Sequence, residues 1–301
     1  MYDNNQTMNP PADRSPVTVI GLGPMGRMLA AAFLQNGHPT TLWNRTKGKA
    51  DELVSQGATV ADTVADAVAA SPLVIVCVLD YNAVYSILEY SAASLKGRTL
   101  VNLTSGSPDG ARQMAAWAAK GGFNYLDGAI IVPAVGQPEA SILYSGSENA
   151  YLTHQRTLMS LGGTSSYLSI DPGRAAAYDV ALLDIFWTSM TGYIHALAIA
   201  SAENITATDL VPYARKIIGM MPDIMVEFAN QVDNSHYPGI ESNLISTEAV
   251  MDNIIHASKA RGIEVGVLIA AKNLVRQAID LGYGKQDFSY LAELIRKPHD
   301  N

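Results

Sequence analysis

The stretch Val17-Thr18-Val19-Ile20-Gly21-Leu22-Gly23-Pro24-Met25-Gly26 decides the fold. Its first four residues are a short apolar, β-branched run, the pattern of a buried strand. Three glycines in G-x-G-x-x-G spacing follow, and a helical pattern opens at Met25. In that context the glycines serve a tight turn, a close approach of backbone to a pyrophosphate, and close packing of helix on sheet. The pyrophosphate would rest on the helix N-terminus, where unpaired N–H groups and the helix dipole favour anions. Gly21, Leu22, Gly23, Pro24, Met25 and Gly26 are therefore expected to hold a dinucleotide.

Outward from this motif the first half alternates β-rich runs with amphipathic stretches. Strands are expected at 40–43, 73–78 and 99–103, with further candidates at 125–126, 141–144 and 166–168. Helices are expected over 49–56 and from about Thr63. That alternation predicts a doubly wound parallel sheet. From Gly173 the apolar residues recur at helical spacing to Asn204, and helices follow at 208–219, 222–232, 246–261 and 265–281. Asp171-Pro172-Gly173 marks the boundary. The expected fold class is α/β: a Rossmann domain over 16–172, a long interdomain helix over 173–203, and an all-α domain over 204–301. Residues 1–15 are polar and Pro-rich, with no apolar signal-peptide core, and read as a disordered lead-in.

The end of the second strand selects the dinucleotide. An NAD site would place Asp or Glu there for the ribose hydroxyls. This chain has Asn44-Arg45-Thr46, with Lys47 and Lys49 beyond. A carboxylate would repel a 2′-phosphate, whereas Arg clasps one with parallel charge-assisted hydrogen bonds. The expected cofactor is NADP(H). Two strand-exit loops should complete its site: Leu79 and Asp80 in one, Asn102, Thr104 and Ser105 in the other. Residues 127–136 are expected to form a loop near the nicotinamide.

Composition narrows the function classes. Charged residues make up 16% of the chain, hydrophobic ones 48%, and the net charge is −8. Nucleic acid is not an expected partner, because phosphate binding needs clustered Lys and Arg. The single cysteine, Cys77, lies in an apolar run and is expected to pack as a small hydrophobe, which fits a reducing, cytoplasmic setting. No membrane span is expected, since Asp179, Asp184 and His195 interrupt the longest apolar helix. The six histidines lack metal-ligand spacing, so no metal is expected.

The order of these motifs resembles the β-hydroxyacid dehydrogenase superfamily, and within it the imine reductases and reductive aminases. The stretches that point to that subfamily are Leu103-Thr104-Ser105-Gly106-Ser107-Pro108-Asp109, Leu143-Tyr144-Ser145-Gly146, Tyr178-Asp179-Val180-Ala181-Leu182-Leu183 and Gly282-Tyr283-Gly284. Hydroxyacid dehydrogenases of the superfamily carry a catalytic lysine early on the long helix. Aligned on Gly173, their pattern places Asp179 at that lysine and Leu182 and Leu183 at two asparagines.

The charge at the reacting centre is thus reversed. Reducing a ketone builds negative charge on oxygen, which an ammonium stabilises. Reducing an imine needs a protonated C=N, a cation that a carboxylate matches. Opposite charges about 4 Å apart attract by roughly 4 kcal/mol at an effective dielectric near 20. Asp179 is the expected catalytic group, either donating the proton or only holding the iminium. At 100° per residue it shares a helix face with Leu183, Phe186 and Met190. Asp184 lies on a different face, with Thr188, Thr191 and His195, and is the alternative acid. The expected substrate pocket comprises Trp187, Phe186, Leu183, Met190, Ser105 and Val132. Trp187 stands where related reductive aminases have a tyrosine.

The resemblance implies NADPH-dependent reduction of an imine, or of an iminium formed from a ketone and an amine. It also implies a homodimer with swapped C-terminal domains. Two rivals remain: a hydroxyacid or carbonyl reductase of the same superfamily, and a non-catalytic NADPH-binding sensor.

Overall fold

The computed structural model describes residues 14–46 and 48–296. Lys47, His299 and most of the expected lead-in lie outside the described residues.

The first half folds as the alternation predicts. Strands β1 (Val17–Ile20), β2 (Thr40–Trp43), β3 (Thr59–Val60), β4 (Leu73–Val76), β5 (Thr99–Asn102), β6 (Asn124–Val132), β7 (Ser141–Gly146) and β8 (Thr164–Ser169) form one sheet in the order β3-β2-β1-β4-β5-β6-β7-β8. All neighbours pair in parallel except β6 and β7. The first six strands thus follow the 3-2-1-4-5-6 order of a Rossmann sheet.

Every residue of β1, β4 and β5 is buried, as expected of strands covered on both faces. Alternation then sorts their side chains. Leu73 and Ile75 join one core with Leu29 and Phe33, while Val74 and Val76 join the other with Leu88 and Met114. The covering helices are α1 (Pro24–Gln35), α2 (Asp51–Ser55), α3 (Val64–Ala69), α4 (Tyr81–Leu88), α5 (Ala92–Leu95), α6 (Pro108–Gly121) and α7 (Glu148–Leu158). Side-chain caps start α3, α4, α6 and α7: Thr63, Asp80, Ser107 and Ser147 each accept a backbone N–H of the first turn. Next to β4, burial pushes the Cys77 thiol up to about 11, so it stays protonated.

The second half is helical: α8 (Gly173–Ala202), α9 (Ala207–Asp233), α10 (Leu244–Ala260), α11 (Gly266–Ala278) and α12 (Leu291–Arg296). The chain forms two compact units that divide after Ile185, within α8. The second unit has its own small core of Leu244, Val275, Ala278, Leu291 and Leu294.

Three expectations need correction. Residues 127–132 are not loop but the greater part of β6, paired with β7 along their length and with β5 at Asp127; only 133–136 remain in the connection. The two helices expected at 208–219 and 222–232 are one, because Pro222 sits inside α9 without ending it, as Pro212 does. A proline removes one hydrogen bond and bends a helix, and the turns on both sides of each survive here. Finally, α8 does meet the length and apolarity of a bilayer span despite its charges.

The glycine turn is tightly packed. Gly21 holds φ +95°, and a Cβ on Gly26 would collide with the Gly21 carbonyl oxygen. We predict that Gly26→Ala lowers stability by about 2 kcal/mol, because backbone must shift to admit the methyl. A chemical-denaturation midpoint unchanged from the parent protein would refute this.

Candidate active site

The topology reverses between β1 and β4, so the crevice at their carboxyl ends is where a dinucleotide would sit. Three side chains tie the loops there together. Asn44 Oδ1 accepts the Leu22 N–H at 2.9 Å, while its Nδ2 donates to the Thr46 carbonyl at 2.9 Å, fixing the end of β2 to the glycine turn. Thr104 Oγ1 accepts the Val78 N–H at 3.1 Å, and Asn102 Oδ1 accepts the Thr104 N–H at 3.1 Å. These bonds join the exits of β4 and β5.

The residues present fit a dinucleotide. A Cβ on Gly21 would strike the Cys77 carbonyl, so the turn demands glycine. At Gly23, by contrast, nothing lies within 4 Å of where a Cβ would point, which leaves the backbone open to an approaching phosphate. Pro24 and Met25 begin α1, whose first N–H groups face the turn. Beyond β2 a cavity of about 310 Å³ is lined by Leu22, Asn44, Arg45, Thr46 and Asp62. Arg45, Thr46 and Lys49 are exposed there or beside it, ready for an anionic group. Leu79 is exposed, and Asp80 spends one carboxylate oxygen on the Ala83 N–H at 2.8 Å as the cap of α4.

The second part of the site is the start of α8. Its unpaired N–H groups meet acceptors from three directions. Gly173 N–H donates to Asp171 Oδ1 at 3.0 Å, and Arg112 grips that same carboxylate through Nε and Nη2 at 3.0 and 2.9 Å. Ala175 N–H donates to Ser145 Oγ at 3.0 Å, while the Ser145 hydroxyl donates to the Pro172 carbonyl at 2.8 Å. Ala176 N–H donates to the carboxylate of Asp127, on β6.

One turn further along α8 comes Asp179, only 5% exposed. Burial pushes its carboxyl above the usual range, and a hydrogen bond from the Ser105 hydroxyl pulls it partly back. Ser105 itself lies on the exposed loop after β5. Asp184, the alternative acid, is exposed.

Asp127 is the residue whose part in this site sequence reasoning missed. It is 1% exposed, and burial pushes its carboxyl up to about 7. Tyr81 donates its hydroxyl to Asp127 Oδ1 at 2.5 Å and Tyr125 donates to the same oxygen at 2.8 Å; both bonds favour the anion. The negative charge of Asp179 opposes them. Asn102 Nδ2 completes the chain by donating to the Tyr125 hydroxyl at 3.1 Å. One signal was available: Asp127 is the single charged residue in the run Tyr125-Leu126-Asp127-Gly128-Ala129-Ile130-Ile131-Val132.

The expected pocket residues divide. Val132 at the end of β6 and Leu183 on α8 are both partly exposed in the first unit. Phe186, Trp187 and Met190 belong to the second unit, where Phe186 and Trp187 pack edge to face at 5.1 Å between ring centroids. All three present surface to solvent.

Known proteins carry the same architecture. Residues 16–169 match the family model of the NAD binding domain of 6-phosphogluconate dehydrogenase, and residues 171–297 match that of the NADPH-dependent reductive aminase-like C-terminal domain. The NADPH-dependent reductive aminase of Aspergillus oryzae is 35% identical over 93% of this chain and 97% of its own length. Among solved structures, the imine reductase of Myxococcus stipitatus in complex with NADP+ is 37% identical, with a TM-score of 0.89 over 93% of this chain and 100% of that one. The reductive aminase of Aspergillus terreus in complex with NADPH4, cyclohexanone and allyl amine is 38% identical, with a TM-score of 0.89 over 94% of this chain and 100% of that one. A Rossmann sheet and a helical C-terminal half are accounted for together: the chain belongs to the family of imine reductases and NADPH-dependent reductive aminases.

Proposed function

We propose that this protein is an NADPH-dependent imine reductase that accepts preformed cyclic imines and iminium ions assembled from a ketone and an amine. One observation carries the reading: Asp179 is a buried carboxylate held by the Ser105 hydroxyl, and the family resemblance sets it where hydroxyacid dehydrogenases carry a lysine. NADPH, when bound, supplies the hydride to the C=N carbon. Gly21, Leu22, Gly23, Pro24, Met25 and Gly26 hold its pyrophosphate, and Asn44, Arg45, Thr46 and Lys49 its 2′-phosphate side. Leu79, Asp80, Asn102, Thr104 and Ser105 flank the remainder.

Asp179 stabilises the protonated C=N. A carboxyl whose affinity for protons is raised by burial is also suited to share one with the substrate nitrogen. Ser105, Val132, Leu183, Phe186, Trp187 and Met190 form the proposed substrate pocket, a reading supported by helical spacing and the family resemblance. The same reading assigns 16–172 to NADP binding, 173–203 to the bridging helix and 204–301 to dimerisation, in a cytoplasmic enzyme.

A homodimer with exchanged C-terminal domains is part of this proposal. Its support is the apolar surface that α8 and α9 leave to solvent: Ile194, Val211, Ile217, Met220 and Val226 are all exposed. Patches of that extent mark association surfaces. Light scattering should give twice the chain mass; a stable monomer at micromolar concentration would remove the dimer from the proposal.

Turnover is the direct test. With a cyclic imine, NADPH oxidation should be rapid, NADH oxidation at least about tenfold slower from loss of the Arg45 contact, and hydroxyacid oxidation undetectable. Hydroxyacid turnover without imine turnover would overturn the reading, and tight NADPH binding with no turnover would favour a sensor. Asp179→Ala should lower kcat at least about tenfold, within the range of a lost acid–base or electrostatic group, while leaving NADPH affinity nearly unchanged. If Asp184→Ala produces that loss and Asp179→Ala does not, the acid has been misassigned.

A further inference from the structure

Asp127 is not used by the mechanism above, yet it is more deeply buried than Asp179 and shares its field. Three donors from three elements converge on its carboxylate: Tyr81 from α4, Tyr125 from β6 and the Ala176 N–H from α8. The last of these places Asp127 against the first turns of the helix that carries Asp179, where the helix dipole also favours negative charge. The titratable groups facing Asp127 are Tyr81, Tyr125 and Asp179. Its strand neighbours are Asn102 on β5 and Ser145 on β7, neither of which titrates in this range.

We propose that Asp127 is a positioning residue for the C=N site: it fixes the start of α8 and supplies a second negative charge beside Asp179 as the solution turns alkaline. The proposal rests on the imine-reduction reading. Two carboxyl groups that interact lose their protons in two steps that belong to the pair. Below the second step the pair carries one charge; above it, two. That step is the ionisation of Asp127, whose carboxyl burial and the charge of Asp179 push up to about 7. The second charge therefore arrives as rising pH begins to strip the proton from a bound imine. A more negative site holds that proton more tightly, so the protonated electrophile persists to higher pH. The phenols of Tyr81 and Tyr125 make the dianionic state reachable, since each donates to the ionised form.

The test is the pH profile of kcat at saturating preformed cyclic imine and NADPH, run on the intact protein. Asp127→Asn keeps an acceptor for the phenols and the Ala176 N–H but removes the charge. Its alkaline limb should move to lower pH by about half a unit to one unit, the scale of one nearby charge. Tyr81→Phe, which weakens the anion without removing it, should move the limb the same way by less. Equal loss of activity at every pH, or an unmoved limb, would overturn the proposal. Carbon-detected NMR of the aspartate carboxyls gives a readout independent of turnover. One carboxyl should titrate near neutrality, vanish in Asp127→Asn and shift to lower pH in Asp179→Asn. Absence of that resonance, or its indifference to Asp179→Asn, would also overturn it. Failure of the imine reading is distinguishable, because it would appear as no imine turnover by the unaltered protein whatever the carboxyl titrations show.

Discussion

Taking a carboxylate out of water costs several kcal/mol unless donors replace the lost hydration, and this molecule does so twice within one turn of α8. Asp127 receives two phenol hydroxyls and a backbone N–H; Asp179 receives a hydroxyl from Ser105. Each donor comes from a different connection of the sheet: α4 after β4, the loop after β5, β6 itself, and the helix that follows β8. The requirement to satisfy these two groups therefore brings together segments that are far apart in the chain. It also fixes where α8 begins, because Ser145 and Asp171 take up the neighbouring N–H groups of its first turn.

The sheet order explains why the chemistry collects at this edge. With β1 and β4 adjacent and their helices on opposite faces, the exits of β1, β4, β5 and β6 all open on one side. Asn44, Thr104 and Asn102 spend their side chains on backbone N–H groups of those exits. An amide or hydroxyl in such a position fixes loop geometry without adding charge, so the field in the crevice is left to the ionisable groups. Arg45 brings positive charge to the end of β2, where an anionic cofactor group is expected. Asp127 and Asp179 bring negative charge to the other end, where a cationic electrophile is expected.

Much of this was legible in the chain because it is local. The glycine spacing after Val17–Ile20, the basic turn after Trp43 and the helical period from Gly173 each depend on neighbours within one or two turns. The caps Asp80, Ser107 and Ser147 were equally local, and with them α4, α6 and α7 could have been placed. What escaped was tertiary. Residues 127–136 look like a glycine-containing loop when read alone, but pairing with β7, and of Asp127 with β5, makes 127–132 part of strand β6. Gly219 and Pro222 signal a break, yet α9 continues through both. The partnership of Asp127 with Tyr81 spans 46 residues, and no period or spacing could announce it.

The same helix that carries Asp179 has to satisfy two environments, and its composition reflects both. Up to Asp179 the side chains facing the sheet domain are small or polar: Gly173, Ala175, Ala176 and Asp179 are buried, which lets the backbone approach β6 and β7 closely enough to hydrogen-bond. Beyond it the side chains become large and apolar, and from Val180 to Trp187 every residue is exposed. A helix suited to one core would bury a single stripe and show charge on the other side. This one is apolar over most of its circumference in its second half, which is why its composition alone imitates a bilayer span. Under the dimer proposal a second copy would cover these side chains, where they gain what water denies them. Under the imine-reduction reading that arrangement has a catalytic use, since excluding water around Asp179 would strengthen the attraction between its carboxylate and a protonated C=N.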